Sequence, residues 1–272
     1  MTSEASLKAP VSKRCEPFSL QEERKNSPLG GEKEILRAEG LVKIYHGKRV
    51  VDGIDITVRR GEIVGLLGPN GAGKTTTFYM IIGLARADSG VVLLDGIDIT
   101  RDPMYQRARK GITYLSQEPS VFRKLTVEEN LLAVMEGRGR LEQEVRGRVE
   151  GLLAELKIGH LAKQKASSLS GGERRRLEIT RALVTDPRFM LLDEPFAGID
   201  PLALSDIKDV IRQLKARGIG IIISDHNVRE TLEVCDCAYI INQGKIIEYG
   251  PPERIVNSEV ARNVYLGRDF RW

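Results

Sequence analysis

Apolar and polar side chains alternate in residues 54–59, where Ile54, Ile56 and Val58 are separated by polar residues. A period of two places successive side chains on opposite faces of a strand. The segment therefore predicts a half-buried strand, and we expect antiparallel strands to open the domain.

Three further segments are short and mostly apolar, at residues 62–67, 189–192 and 219–223. Strands that are buried on both faces of a parallel sheet have this character. Residues 75–84 and 201–217 instead have the apolar spacing of helices. Together these patterns predict an α/β fold in which crossover helices join the strands of a parallel sheet.

The remaining long stretches differ from this pattern. Residues 1–34 are rich in Ser, Lys, Glu and Pro, which predicts a disordered N-terminal tail. Residues 35–272 are expected to form one domain, with a C-terminal tail at about 260–272. Within it, a helical insert is predicted at about 104–170, because apolar residues there recur at helical spacing: Val145, Val149, Leu152, Leu153 and Leu156.

Charge and hydropathy exclude some classes of function. The net charge of +4 is a small difference between 42 basic and 38 acidic residues, so a nucleic-acid partner is not expected. No apolar run approaches the roughly 18 residues that a membrane-spanning helix needs. We therefore expect a cytoplasmic protein that reaches a membrane only through a partner.

A glycine-rich loop, from Gly68 to Thr75, fits the pattern G-x-x-x-x-G-K-[ST] between a predicted strand and a predicted helix. In such loops backbone N–H groups and a helix N-terminus surround phosphate oxygens. The Lys74 ammonium is expected to contact the β- and γ-phosphates, and the Thr75 hydroxyl to bind Mg²⁺. The alternative, a chance glycine turn, is disfavoured by the flanking strand and helix.

Two carboxylates, Asp193 and Glu194, follow the apolar segment 189–192. An unpaired buried charge is costly, so a role in the core is disfavoured. Asp193 is placed to hold Mg²⁺ and Glu194 to polarise the attacking water. A helix-capping acid pair, which Pro195 makes possible, is the alternative.

The segment Leu169-Ser-Gly-Gly-Glu173 precedes another predicted helix and offers a second phosphate-binding helix end. One nucleotide cannot easily use both ends of one monomer. At this point the sequence resembles the ATP-binding cassette family, whose signature motif is LSGGE. The resemblance implies a P-loop NTPase cassette with a RecA-like core, an N-terminal antiparallel β subdomain and a helical subdomain, and an ATP-bound homodimer paired head to tail.

The resemblance covers about residues 35–267 and implies roles for the site residues. Gln117, His226, Lys74 and Glu194 match catalytic residues, whereas Thr75, Gln117 and Asp193 match metal-binding residues. The residues that match ATP-binding positions are Tyr45, Gly68, Pro69, Asn70, Gly71, Ala72, Gly73, Lys74, Thr75, Thr76, Ser170, Gly171, Gly172, Glu173 and Asp200. Around Asp200, Ala-Gly-Ile-Asp departs from the commoner Ser-Ala-Leu-Asp.

Within the family, residues 75–80, 196–201, 225–232 and 265–271 are similar to the ATPases of lipopolysaccharide exporters. This resemblance implies a pair of integral-membrane permeases, a membrane-anchored regulator and attachment to the cytoplasmic face of the inner membrane. Phe122, followed by Arg123 and Lys124, is the candidate permease contact. Two alternatives stay open: a branched-chain amino-acid importer, and a soluble cassette ATPase acting on DNA or ribosomes.

Overall fold

The alternating segment near residue 54 belongs to a long hairpin of two strands. In the computed structural model of the chain, which describes residues 34–135, 142–267 and Phe270, these strands are followed by eight others. The strands are β1 Ile35–Tyr45, β2 Lys48–Arg59, β3 Ile63–Leu67, β4 Ser89–Leu94, β5 Ile97–Asp98, β6 Ile112–Leu115, β7 Phe189–Asp193, β8 Gly220–Ser224, β9 Cys237–Asn242 and β10 Lys245–Gly250.

Helices connect most of these strands. They are α1 Lys74–Ile82, α2 Met104–Arg109, α3 Val127–Met135, α4 Glu142–Glu155, α5 Gly171–Leu183, α6 Pro201–Ala216, α7 Val228–Val234, α8 Pro252–Asn257 and α9 Glu259–Ala261, followed by a π-helical turn Arg262–Leu266. The predicted helices at 75–84 and 201–217 correspond to α1 and α6.

The strands form two sheets. One has four strands in the order β2-β1-β4-β5, and all its pairs are antiparallel. The other has six strands in the order β10-β9-β3-β8-β7-β6, and its pairs are parallel except between β9 and β10. Every residue of β3, β7 and β8 is buried, as their apolar composition predicts.

The stretch 104–170, predicted as a helical insert, begins with α2 and β6. Because β6 pairs in parallel with β7, this part of the stretch belongs to the six-stranded sheet. Its later part contains α3 and α4, and four of its spaced apolar residues are buried: Val149, Leu152, Leu153 and Leu156. The tail predicted to be disordered at 1–34 lies outside the described residues, except for Glu34.

Parallel pairing brings three strand ends to the same edge of the large sheet. Asp193, the last residue of β7, lies opposite Ser224, the last residue of β8. Ser224 in turn pairs with Leu66 near the end of β3. The segments that follow these strands, beginning at Gly68, Glu194 and Asp225, therefore start side by side, where ligands bind in open α/β sheets.

Candidate functional site

The glycine-rich loop connects β3 to α1, and two of its glycines are required by close approaches of the backbone. A Cβ on Gly68 would collide with the carbonyl oxygen of Ile241, and one on Gly73 would lie 2.6 Å from that of Val50. Both glycines have positive φ, at 149° and 109°. Gly73 immediately precedes α1, so the N–H groups of the first turn of this helix lie at the loop, as phosphate binding requires.

Lys74, the first residue of α1, is buried beneath the loop. Its ammonium donates hydrogen bonds to the carbonyl oxygens of Gly68, at 2.6 Å, and Pro69, at 3.0 Å. Burial lowers the pKa of Lys74, while the negative charges of Glu194 and Asp193 oppose this shift. The charged ammonium therefore lies between the loop and the carboxylates at the strand ends. The next residue, Thr75, is exposed, and Thr76 is half-buried.

A cleft of about 470 Å³ lies beside the loop. Its lining residues are Lys48, Arg49, Val50, Pro69, Asn70, Gly71, Ala72, Asn242 and Gln243. Tyr45, one of the predicted ATP-binding residues, pairs across the β1–β2 hairpin with Lys48. Its ring is 43% exposed and lies 5.2 Å from the Lys43 ammonium. The structure thus places an accessible aromatic ring next to a residue that lines the cleft.

Glu194 lies at the centre of the predicted catalytic residues. Its Oε2 accepts a hydrogen bond from Nε2 of Gln117 at 2.7 Å and lies 3.2 Å from Nδ1 of His226. Its backbone has a φ of 45°, and its N–H donates to the Ser224 carbonyl at 2.6 Å. A non-glycine residue in the left-handed region indicates local strain, which occurs preferentially at functional sites. The structure therefore brings Gln117, Glu194 and His226 together.

Asp193 is buried and oriented by a residue whose role the sequence did not reveal. The hydroxyl of Tyr114, on β6, donates to Oδ2 of Asp193 at 3.1 Å. Burial raises the pKa of Asp193, and this effect outweighs the Tyr114 hydrogen bond; the nearby charge of Glu194 raises it further. The carboxylate is thus costly to ionise in the free protein.

Asp225 is a second buried acid that sequence reasoning did not assign. It accepts hydrogen bonds from the backbone N–H groups of Phe196, at 3.2 Å, and Asn227, at 2.8 Å. It therefore joins the segment after Glu194 to the one around His226. Burial raises its pKa. A signal was present, since Asp225 directly follows a buried strand, as Glu194 does.

The signature segment lies at the start of α5. The Ser170 hydroxyl accepts from the Glu173 N–H at 3.3 Å, and the Glu173 carboxylate accepts from the Ser170 N–H at 2.8 Å, which forms a capping box. A Cβ on Gly172 would lie 2.7 Å from that of Ala203, so α5 lies close to α6 here. A Cβ on Gly171 would lie 3.4 Å from the carbonyl oxygen of Gly198, in the segment before α6.

Asp200 is placed beside this helix end. Its Oδ1 accepts from the N–H of Ala203 at 3.0 Å, which caps α6. The hydrogen bonds described above for Ser170 and Asp200 lie within the starts of α5 and α6. The predicted ATP-binding residues therefore fall into two groups, one at the phosphate loop and one at the start of α5.

The fold and these groups define a P-loop nucleotide-hydrolysing protein, and the comparisons give its family. The profile of the family described as "ABC transporter" matches residues 51–197. The chain belongs to this family of ATP-binding cassette proteins, and it is an ATP-binding ATPase. The "Lipopolysaccharide export system ATP-binding protein LptB" of Haemophilus influenzae is 55% identical over 238 residues, 87% of this chain and 99% of the relative. That of Escherichia coli K12 is 54% identical over 237 residues, 87% of this chain and 98% of the relative.

Solved structures agree with this assignment. An ATP-binding cassette of an ABC transporter in its ADP conformation is 33% identical, with a TM-score of 0.78 over 86% of this chain and 99% of its own. The cbiO1 protein of Clostridium perfringens, part of the ABC transporter complex cbiONQ, is 32% identical, with a TM-score of 0.78 over 87% of this chain and 96% of its own. The predicted α/β cassette fold is therefore confirmed.

Proposed function

We propose that this chain is the ATP-hydrolysing subunit of a lipopolysaccharide exporter and powers extraction of lipopolysaccharide from the inner membrane. The observation that carries the proposal is the identity of 54 to 55% to two relatives named for that export system, over 98 to 99% of their length. Identity at this level extends well beyond the motifs that all cassettes share.

For hydrolysis, we assign the proton-accepting role to Glu194. Its carboxylate lies at the end of β7 and is reached by both Gln117 and His226, so it can orient a water molecule for attack on the γ-phosphate. His226 is 59% exposed at its side chain and lies 3.2 Å from Glu194, which suits a residue that contacts the γ-phosphate. Lys74 exchanges its loop carbonyl contacts for phosphate oxygens when ATP binds.

The residues at the strand ends also fit Mg²⁺, which we propose as a cofactor. Asp193 is a buried carboxylate whose pKa is raised, and Tyr114 holds one of its two oxygens in place. A nearby cation would offset the cost of this buried charge. Thr75 and Gln117 supply the hydroxyl and amide oxygens that Mg²⁺ favours. When bound, Mg²⁺ would neutralise charge on the phosphate oxygens.

We further propose that two copies pair head to tail. Ser170, Gly171, Gly172 and Glu173 form the N-terminus of α5, where Ser170 and Gly171 are exposed, and Asp200 lies beside it. A helix N-terminus attracts phosphate. Two-fold pairing would place this end on the nucleotide held by the partner's phosphate loop, which would complete two sites.

The membrane partner is proposed to be a pair of permease subunits, with a membrane-anchored regulator. None of the helices in the described ranges combines the length and the hydropathy needed to cross a bilayer. Under the proposal, the chain is attached to the cytoplasmic face of the inner membrane through these permeases.

The candidate contact surface is the segment after Gln117. Phe122 is 49% exposed, and the guanidinium of Arg181 lies 5.3 Å from its ring centre. Its backbone N–H donates to Oδ1 of the buried Asn130 at 2.8 Å, so the ring is presented from a fixed backbone. Arg123 and Lys124 follow as exposed basic residues. A fixed aromatic ring flanked by basic groups suits a groove for a cytoplasmic permease helix.

Buried polar contacts connect this segment to the catalytic strand. Arg175, on α5, donates to the carbonyl oxygens of Ser116, at 2.9 Å, and Asp193, at 3.1 Å, and pairs with Glu178 at 2.9 Å. Glu178 accepts in turn from the N–H of Ser120 at 2.8 Å. A displacement of the segment by a permease would therefore be transmitted to the residue that precedes Glu194.

The proposal is tested by purifying a tagged Glu194→Gln chain from membranes of its native cell with ATP present, and identifying the retained proteins by mass spectrometry. Lipopolysaccharide-export permeases are the expected result. Recovery of amino-acid importer permeases would show that the chain serves an importer instead. Recovery of soluble nucleic-acid or ribosomal proteins alone would contradict the transporter assignment. Phe122→Ala in the same background should lose the permeases, whereas Ile97→Ala, which changes another exposed apolar residue, should retain them.

A further inference from the structure

The C-terminal segment reaches the nucleotide site through one hydroxyl group. Tyr265 lies in the π-helical turn Arg262–Leu266, and its hydroxyl donates to the backbone carbonyl of His226 at 3.4 Å. The backbone N–H of Gly68 lies near this hydroxyl and acts to lower its pKa, against the larger effect of burial. Tyr265 therefore bridges the first residue of the phosphate loop and the backbone of the histidine beside Glu194.

The ring that carries this hydroxyl is fixed by apolar packing. Tyr265 packs, together with Leu266 and Phe270, against a buried cluster that includes residues of β3, β9, α7 and α8. This cluster contains Leu67, which immediately precedes Gly68. Val228, two residues after His226, packs against it as well. The two backbone groups that Tyr265 bridges are thus flanked by residues of the cluster that holds its ring.

The position of the His226 backbone matters because residues 225–227 form a short loop between β8 and α7. Asp225 fixes the start of this loop through the N–H groups of Phe196 and Asn227. The Tyr265 hydroxyl adds a further contact to this loop, at the His226 carbonyl. Between these contacts the imidazole lies 3.2 Å from the Glu194 carboxylate.

The hydroxyl remains a donor under all ordinary conditions. Burial raises the pKa of Tyr265 to about 12, so the phenol stays protonated near neutral pH. The phenol can therefore donate its hydrogen bond to the His226 carbonyl throughout this range.

We propose that Tyr265 is a positioning residue for ATP hydrolysis, whose hydroxyl fixes the His226 backbone relative to the phosphate loop and so links the C-terminal segment to the catalytic site. The inference rests on the proposed role of His226. Through this bridge, a ligand or partner that moved the C-terminal segment would alter turnover without entering the nucleotide cleft.

The direct test is Tyr265→Phe in the full chain, which removes the hydroxyl and keeps the ring. Loss of one hydrogen bond that orients a catalytic side chain should lower kcat about threefold to tenfold. The KM for ATP should change less than about twofold, because the strand before the phosphate loop is still held by the pairing of Leu67 with Ile240. Tyr249→Phe is the matched control, since this half-buried ring stacks on Tyr239 at 4.4 Å and lies outside the site; its kcat should equal that of the wild type.

A double-mutant cycle separates positioning from a general structural effect. If Tyr265 acts through the imidazole, Tyr265→Phe should produce no further loss of single-turnover rate in a His226→Ala background. An equal fractional loss in both backgrounds would overturn the proposal, because the hydroxyl would then serve the fold alone. A raised KM with unchanged kcat would also overturn it, since the hydroxyl would then act on the phosphate loop.

The outcomes also separate this inference from the function proposed above. If His226→Ala hydrolyses ATP at the wild-type rate, the assigned role of His226 fails, and the inference fails with it. If His226→Ala is impaired while Tyr265→Phe matches the wild type, the inference alone fails. Equal melting temperatures of Tyr265→Phe and Tyr249→Phe are expected, which would exclude unfolding as the cause of a slower rate.

Discussion

The phosphate-loop region and the start of α5 differ in how well one chain satisfies their polar groups. In the first region, burial raises the pKa of Asp193 and Asp225, and Glu194 has a φ of 45°. At the start of α5, Ser170 and Glu173 satisfy each other in a capping box. The first region therefore has charge and strain that a ligand can relieve, whereas the second is a complete helix end that presents its N-terminus outward.

The largest effect that tests this contrast is expected from Glu194→Gln. The amide keeps the size of the carboxylate but cannot accept a proton, so kcat should fall at least about 100-fold. The affinity for ATP should change little, because Lys74 and the phosphate loop are unaltered. Single-turnover hydrolysis and nucleotide titration measure the two quantities. If Glu194→Gln hydrolysed ATP at the wild-type rate, the role assigned to Glu194 would be wrong. The control is Glu150→Gln, on the exposed face of α4, which should keep the wild-type rate.

Mixing two inactive variants tests whether the two regions meet across a dimer. Lys74→Ala disables the phosphate loop, and Ser170→Arg blocks the start of α5 at an exposed position. In a head-to-tail dimer, a mixed pair has one site with both defects and one intact site. An equimolar mixture should therefore recover up to about a quarter of wild-type ATPase activity, since half of the dimers are mixed and each has one of two sites.

The matched control is a mixture of Lys74→Ala with Glu194→Gln. Both defects then lie in the phosphate-loop region, so every mixed pair has two disabled sites and no activity should return. Recovery in this control, or its absence in the first mixture, would show that the start of α5 does not complete the partner's site.

The sequence predicted local features of the site better than its side-chain contacts. The order of strand, glycine loop and helix around Lys74 follows from short-range spacing, and the α/β cassette fold was predicted from such segments together with the family resemblance. The contact of Tyr114 with Asp193 and that of Tyr265 with His226 join distant parts of the chain. Spacing carries no information about such pairs, because they depend on how the sheet and the C-terminal segment pack.

Among the individual residues of the site, some features were predictable from the sequence and others were not. The residue pattern identified Glu194, and the family resemblance added Gln117 and His226; parallel strand order explains why the three lie together. The left-handed backbone of Glu194 was not predictable, because Glu rarely adopts it and only the surrounding contacts impose it. The pairing of Glu194 N–H with the Ser224 carbonyl is one such contact.

A smaller effect is expected on stability from Asp193→Asn. Burial raises the pKa of Asp193, so its ionisation opposes folding at any pH where the carboxyl of the unfolded chain is ionised. The amide removes this charge and can still accept the Tyr114 hydrogen bond. The free protein should therefore melt about 2 to 4 °C higher, although its activity is lost. Thermal unfolding without nucleotide measures the change, with Asp209→Asn, an exposed residue of α6, as the control.

The difference in melting temperature between the wild type and Asp193→Asn should depend on pH, because the pKa of Asp193 is raised in the folded protein. The raised pKa means that the folded protein holds the Asp193 proton more tightly than the unfolded chain does, so the cost is fully present above the folded pKa. As the pH falls below the ordinary range of an aspartate, both states are protonated and the difference from Asp193→Asn should vanish. A variant that is less stable than the wild type at neutral pH would contradict the assigned cost of this charge.

The smallest effect is expected from Glu173→Ala, with the opposite sign. This carboxylate accepts the Ser170 N–H at 2.8 Å and lies in the first turn of α5, so its loss should cost about 0.5 to 1 kcal/mol of unfolding free energy at neutral pH. The Ser170 N–H holds the pKa of Glu173 below its usual range. The Glu173 carboxylate therefore stabilises the folded protein fully above the pKa that Glu173 has in the unfolded chain. This stabilisation is lost as the pH falls through the lower pKa that Glu173 has in the folded protein. Urea unfolding at neutral and acid pH measures both values, and Glu150→Ala on α4 corrects for helix propensity. If Glu173→Ala matched that control at neutral pH, the start of α5 would not be stabilised by its own chain, and the contrast between the two regions would fail.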